Sequence, residues 1–252
     1  NLVVLGGNAV GGIAGIVRGK VDIDGLSSNV SVTSTRAISA YNYSIYNSIP
    51  SGYENSENLT DVYYAGSVIG VIDAYSTSNP AGQIRALNAT TYSKVRNISA
   101  LGNISLVGDT VGVAIGFVGE NVYLENVQAS TSGEIYAEQY AGGVVGENRG
   151  IIENVIFVSE NDDVFNRTSS VMAGIVGLNL GGLVKNASTD ASIISSSLNS
   201  VVGGIVGRNI NGVVVESTFN GKAFGKYVGG IVGSDYSKQT LKNKTSGMSA
   251  VA

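Results

Sequence analysis

The 252-residue chain has no cysteine, no tryptophan and no histidine, and only two prolines. Without cysteine there is no disulfide framework, thiolate nucleophile or thiolate metal site. Without histidine neither Ser-His-Asp nor Cys-His catalysis can be assembled, and a His-Glu-x-x-His zinc site is excluded. Charge is scarce too: 13% of residues, 15 Lys and Arg against 19 Asp and Glu. A mildly negative chain without basic clusters lacks the Lys and Arg that neutralise phosphates, so nucleic acid is not its main partner. No apolar run reaches the ~20 residues that cross a bilayer, so no membrane span is expected in this segment. No Gly-rich loop ends in the Lys-Ser/Thr of a phosphate-binding loop.

What is present is a short apolar phrase, repeated seven times. It reads Val10-Gly-Gly-Ile-Ala-Gly15, Ala65-Gly-Ser-Val-Ile-Gly70, Val111-Gly-Val-Ala-Ile-Gly116, Ala141-Gly-Gly-Val-Val-Gly146, Met172-Ala-Gly-Ile-Val-Gly177, Val202-Gly-Gly-Ile-Val-Gly207 and Val228-Gly-Gly-Ile-Val-Gly233. The closing glycines are separated by 55, 46, 30, 31, 30 and 26 residues. Periods of about 20 to 50 residues mark stacked units that cannot bury their apolar faces alone. Within a unit, three short apolar segments alternate with Gly or Asn turns and helical periodicity is missing. The pattern predicts a right-handed parallel β-solenoid of about seven to nine coils, with Ile13, Val68, Ile69, Val144, Ile175, Ile205 and Ile231 inside.

One solenoid domain is expected over residues 1–252, irregular over 1–140 and regular over 141–252. The step of 55 residues accommodates either a degenerate coil near Ala37 to Ala40 plus a loop, or one coil with a long excursion. The excess in the step of 46 falls around Tyr75 to Thr91. The chain opens on Asn1 rather than Met and is already strand-like there, so it is expected to be an excerpt of a larger chain.

Two residues after the closing glycine stand Asn148, Asn179 and Asn209, with Asp235 in the last unit. Asn and Asp tolerate the left-handed backbone of a tight turn, and identical Asn side chains stacked coil over coil can form a hydrogen-bonded ladder. Gly143-Val-Val-Gly-Glu-Asn148 and Gly204-Ile-Val-Gly-Arg-Asn209 resemble the GLUG repeat of large bacterial surface proteins. These include adhesin-like proteins and the non-catalytic N-terminal region of zinc metallopeptidases that cleave immunoglobulin A. The resemblance covers most of the chain, loosely before Gly116; in the first unit Ala14 replaces the second aliphatic and Val17 the Asn. It implies a β-helical, surface-displayed, non-catalytic segment.

Carboxylates occur in two groups: Asp22 with Asp24, which share a face if Val21 to Asp24 is a strand, and Glu160, Asp162 and Asp163 in a turn. Solvated strand-edge charge, a Ca²⁺ site and an acid–base pair are the alternatives for such groups. They are too thinly spread over neighbouring coils to assign a catalytic residue, a metal or a cofactor. The absent cysteine fits an exported protein, and an extracellular or cell-surface location is expected.

The chain is therefore expected to be no enzyme but a structural or adhesion module. The alternatives are a self-assembling extracellular filament subunit and, more remotely, a polysaccharide-active β-helix enzyme. Its partners would be a host or neighbouring-cell surface protein or glycan, or other copies of itself end to end. Tyrosine crowds the irregular N-terminal excursion, at Tyr41, Tyr43, Tyr46, Tyr53, Tyr63 and Tyr64. Its flat apolar ring and hydroxyl suit sugar or protein contact, so Tyr41, Tyr43, Tyr46 and Tyr53 are the candidate binding residues. Asn-x-Ser/Thr sequons make Asn29, Asn42, Asn58, Asn88, Asn97, Asn103, Asn166, Asn186 and Asn243 candidate glycosylation sites.

Overall fold

The computed structural model describes residues 3–6, 8–34, 63–73, 92–159, 161, 165, 171–195, 197 and 199–236. Every strand pairing among them is parallel, and no residue of them is helical. Parallel strands cannot be joined by a tight hairpin, so the chain goes round through two other faces before returning beside itself. The result is a parallel β-solenoid with three main faces, a nine-stranded sheet A, a seven-stranded sheet B and an eight-stranded sheet C. Ile193–Ile194 and Ala223–Phe224 add a two-stranded sheet at one corner.

Each coil passes from A through B to C. Coils 1 to 7 are identified by their sheet B strands, Ala14–Arg18, Ile69–Asp73, Ile115–Val118, Val145–Asn148, Val176–Leu180, Val206–Ile210 and Val232–Asp235. Seven successive strands mark seven coils and delimit six complete turns, the low end of the seven to nine coils expected. The first two steps add no further coil, because Val10 pairs directly with Ala65, and Ala65 with Val111. Each long step is thus one coil plus an excursion rather than an additional degenerate coil. The second excursion falls between Asp73, which ends a sheet B strand, and Ser93, which begins the sheet C strand.

The two faces explain two kinds of apolar pattern. Sheet C strands have one face in the core and one in solvent, so Val122–Thr131 alternates buried with exposed positions. The interior sheet B strands are buried on both faces, as all four residues of Val145–Asn148 show, whereas the end strands Ala14–Arg18 and Val232–Asp235 are partly open. One side of sheet B lines the core, and the other packs against sheet A across an outer seam where the two sheets meet. The closing glycine of each repeat sits in that seam. A Cβ on Gly146 would lie 2.8 Å from Thr110 Cγ2 and 2.9 Å from the Val111 carbonyl carbon, so only glycine lets the sheets approach this closely.

One continuous core runs through the coils and includes Val68, Ile69, Val144, Ile175, Ile205 and Ile231. Ile13, expected in it, is instead 48% exposed. It belongs to coil 1, and among the described residues no further layer closes over it. Burying a side chain of this kind contributes about 1.5 to 3 kcal/mol, so the interior coils supply most of the apolar stabilisation.

Candidate interaction surface

Three rows of side chains run along the solenoid axis, and each is created by the register of one sheet. The first is internal. It passes through Val17, Ile72, Val118, Asn148, Asn179, Asn209 and Asp235, each in register with the next. From coil 4 onward it is a hydrogen-bonded ladder: Asn148 Nδ2 donates to Asn179 Oδ1 (2.8 Å), Asn179 Nδ2 to Asn209 Oδ1 (2.8 Å), and Asn209 Nδ2 to Asp235 Oδ1 (2.9 Å). Asn179 and Asn209 also donate to the Gly182 and Gly212 carbonyls at 3.0 Å, while Asn148 Oδ1 accepts from the Gly150 N–H. All three asparagines are fully buried. The ladder expected from the repeat is present, whereas the left-handed turn role is not, because these residues lie within strands and the positive-φ asparagines are others.

The second row lies on the outer surface of sheet C. Asn97, Asn126, Asn154 and Asn186 have φ of 58°, 56°, 57° and 50°, and Glu216 takes the equivalent place in coil 6 with φ 52°. A left-handed residue inverts the alternation. In Val122–Thr131 the inward residues are Val122 and Leu124 before Asn126, then Val127 and Ala129 after it. The strand therefore bends without turning its apolar side chains outward. Asn126 Nδ2 donates to Asn97 Oδ1 (3.3 Å) and Asn186 Nδ2 to Asn154 Oδ1 (2.6 Å). Repeat reading missed this column, although a charged residue, Asn, then an aliphatic recurs at Arg96-Asn97-Ile98, Glu125-Asn126-Val127, Glu153-Asn154-Val155 and Lys185-Asn186-Ala187.

Beside these asparagines stands a column of charge: Asp24, Arg96, Glu125, Glu153 and Lys185. Asp22 and Asp24, one of the two carboxylate groups singled out in the sequence, both pair with Arg96, at 2.9 and 3.0 Å. Hydrogen bonds from Asn97 and then Arg96 hold the Asp24 carboxyl below its ordinary range. Glu153 accepts from Lys185 (2.9 Å) and from the Tyr123 hydroxyl (2.7 Å), which depress its pKa in that order. Among the described residues no group of three or more His, Cys, Asp or Glu side chains is placed to hold a metal ion.

The third row is the seam between sheets A and B. Here the Tyr64 hydroxyl donates to Glu147 Oε2 at 3.0 Å, and Arg149 Nε lies 2.7 Å from Glu147 Oε1. Phe117 packs between them, its ring centroid 5.1 Å from that of Tyr64 and 5.3 Å from the Arg149 guanidinium carbon. Tyr64 and Glu147 are 2% and 4% exposed. Burial first, and the neighbouring carboxylate second, push the Tyr64 pKa far above that of a free phenol. Tyr64 is therefore a seam residue and does not join the tyrosine-rich recognition surface in which the sequence placed it. Among the described residues, the buried side-chain atoms left without a hydrogen-bond partner, Thr110 Oγ1, Arg208 Nε and Ser234 Oγ, lie along the same seam.

Tyr41, Tyr43, Tyr46 and Tyr53 lie outside the described residues, as do Asn42, Asn58, Asn88, Asn166, Asn243, Glu160, Asp162 and Asp163. Of the remaining sequon residues, Asn29, Asn97, Asn103 and Asn186 are all exposed on the outer surface. Asn29 and Asn103 occupy the corner between sheets C and A in successive coils, as the Val32–Leu106 pairing fixes. Asn97 and Asn186 stand in the left-handed column with their amides engaged, Asn97 to Asp24 at 2.7 Å and Asn186 to Asn154.

The fold and its three axial rows define the chain as a parallel β-solenoid with an internal polar ladder. No family model matches the chain, and no curated protein or solved structure matches it either.

Proposed function

We propose that this chain is a non-catalytic structural and adhesion module of a large cell-surface protein, displayed outside the cell. The observation that carries this reading is the use to which the described polar groups are put. Asp22, Asp24, Glu147 and Glu153 are each joined to a cation, and the buried asparagines are joined to one another, along the axis of the stack. Carboxylates held in this way hold coils together and present no pair poised for acid–base work. The likeness of the repeat to the GLUG motif supports the same reading.

Contact with a partner, a surface protein or glycan of a host or neighbouring cell, is assigned to Tyr41, Tyr43, Tyr46 and Tyr53, which no repeat position dictates. Insertions in solenoids are where specificity is placed. Exposed Asn29 and Asn103 are the acceptors best suited to a glycan, since their side chains stand outside the axial columns. End-to-end filament assembly is less well supported. A second copy stacked in the same register would set Asp235, whose Oδ1 already accepts from Asn209, against the aliphatic Val17 and take its charge out of water, which is costly.

The test is antibody labelling of intact cells that make the protein, compared with permeabilised ones. Labelling of intact cells is the expected result, and labelling only after permeabilisation overturns the reading. Changing the four tyrosines to Ala is expected to weaken attachment while leaving the far-ultraviolet circular dichroism of the solenoid unchanged.

A further inference from the structure

The seam between sheets A and B shows in coil 4 how it holds a carboxylate. Glu147 is met there by a phenol and a guanidinium, the Tyr64 hydroxyl at 3.0 Å and Arg149 Nε at 2.7 Å. The two rows that form the seam run on to the C-terminal end of the stack. On sheet A, register carries the row of Tyr64 on to Tyr227. On sheet B, it carries the row of Glu147 through Leu178 to Arg208 and Ser234. Coils 6 and 7 therefore place a guanidinium, a hydroxyl and a phenol in these rows, while the nearby Asp235 carboxylate accepts from Asn209 in the inner ladder. Arg96, Arg149 and Lys185 are each joined to a carboxylate. Arg208 has no such partner among the described residues. Its guanidinium carbon lies 5.9 Å from the centroid of the Tyr236 ring, which accepts no hydrogen bond from it in the plane of its donors. Its buried Nε, and the buried Ser234 Oγ in register with it, have no hydrogen-bond partner among the described residues. Arg208 belongs to coil 6 and coil 7 already lies against it, so these donors are not simply the bare end of the stack.

A second cation stands over a second ring: Lys226 Nζ lies 5.3 Å from the centroid of Tyr227. Tyr227 and Tyr236 are 56% and 63% exposed. Charge is also divided along the chain, since residues 191–252 carry six Lys and Arg against two Asp and Glu, whereas 1–190 carry nine against 17. A negative chain with a positive C-terminal part draws anions to that part. We propose that this end of the seam binds an acidic polysaccharide, its carboxylates paired with Arg208 and Lys226 and its sugar rings resting on Tyr227 and Tyr236. A guanidinium meets a carboxylate through paired N–H donors, and the Ser234 hydroxyl adds a further donor beside it. A sugar acid offers both things this surface can hold, a carboxylate and an apolar C–H face that lies on an aromatic ring. Rings this exposed favour a sugar over an acidic peptide, because a peptide side chain is anchored by enclosure in a packed pocket, while a pyranose ring lies flat on an open one. The site is distinct from Tyr41, Tyr43, Tyr46 and Tyr53 and rests neither on that assignment nor on where the chain is displayed.

Fluorescence polarisation of an end-labelled oligogalacturonate titrated with the purified chain tests the site. Unlabelled oligogalacturonate, its neutral methyl ester and an oligoglutamate peptide of equal charge serve as competitors. The labelled sugar should bind, the free acid should displace it, and the ester and the peptide should compete at least about tenfold less well, the difference expected of one charge-assisted contact. Arg208→Gln should weaken binding by about tenfold for the same reason. Tyr236→Ala and Lys226→Ala, both at exposed side chains, should weaken it too and decide the matter if Arg208→Gln does not fold. Lys94→Ala, a cation removed from coil 2, should leave binding unchanged. Equal competition by the ester, better competition by the peptide, an equal loss in Lys94→Ala, association of the chain with itself in place of sugar binding, or no binding of the oligogalacturonate would each overturn the proposal.

Discussion

Coils 1 to 3 and coils 4 to 7 solve the same packing problem with different chemistry. At the inner position that follows the closing glycine, the first three place Val17, Ile72 and Val118, and the last four place Asn148, Asn179, Asn209 and Asp235. An aliphatic row tolerates small displacements of one coil over the next, because dispersion and burial are non-directional. A buried amide row does not, since each amide that loses its partner bears a desolvation cost. The excursion after Asp73 leaves the chain from the aliphatic block, and the coils of the amide block recur at steps of 26 to 31 residues. Regular spacing and the amide ladder therefore accompany each other for a physical reason: a ladder permits one register.

The largest effect that separates the blocks is expected from their inner rows. Asn179→Ala removes the donor to Asn209 Oδ1 and to the Gly182 carbonyl, and should cost about 3 kcal/mol in urea unfolding. The matching change in the aliphatic block, Ile72→Val, should cost only about 1 kcal/mol. Equal losses would show that the amide row is no more demanding than the aliphatic one.

Next come the seam glycines. A Cβ on Gly177 would lie 2.8 Å from the Gly146 carbonyl oxygen and 3.0 Å from two Ala141 backbone atoms, whereas on Gly15 it would meet one backbone oxygen at 2.9 Å and nothing else closer than 3.9 Å. Gly177→Ala should therefore destabilise by about 2 to 3 kcal/mol and Gly15→Ala by clearly less, as thermal melts of the two variants would reveal. A smaller gain is expected at Glu216, the one residue in the outer left-handed column that is not asparagine. Glu216→Asn suits the φ of 52° better and should stabilise by about 0.5 kcal/mol.

The smallest effect is that of pH. Glu153 and Asp24 have depressed pKa values, so the stability they contribute is present above the ordinary carboxylate pKa and is lost as pH falls through the lower folded value. Burial raises the Asp73 carboxyl instead, and its contribution runs the other way. Melting temperature should decline modestly below about pH 4. Lys185→Ala, which removes a hydrogen-bond donor to Glu153, should make that decline shallower, because less stability then depends on the ionised carboxylate; an unchanged profile would show that the charge column adds nothing in acid.

Much of the fold was legible in residue order. The repeat marks every coil, its closing glycine marks the seam, and its continuous apolar run marks sheet B, where both faces are buried. The inner ladder could be anticipated from Asn148, Asn179 and Asn209, because coils in register place equal positions of the repeat on one axis. The outer column was obscured, since a left-handed Asn and an ordinary strand-edge Asn look alike until the parity of the neighbouring aliphatics is followed. Ile13 was misplaced because its repeat is indistinguishable from the interior ones; only its place in the first coil leaves it exposed.

Spacing and residue type alone were thus enough for the period, the direction of winding back onto a parallel sheet, and the row that would stack inside, because these follow from local geometry repeated many times. The seam partnership was decided by the folded chain. Tyr64 and Glu147 lie 83 residues apart and fall in different coils, and the position of Glu147 carries Phe117, Leu178, Arg208 or Ser234 in other coils. No periodic signal relates them. They meet because stacking sets the coils about 4.8 Å apart and the corner turns the outer faces of sheets A and B toward each other, so that a side chain in coil 2 reaches one in coil 4.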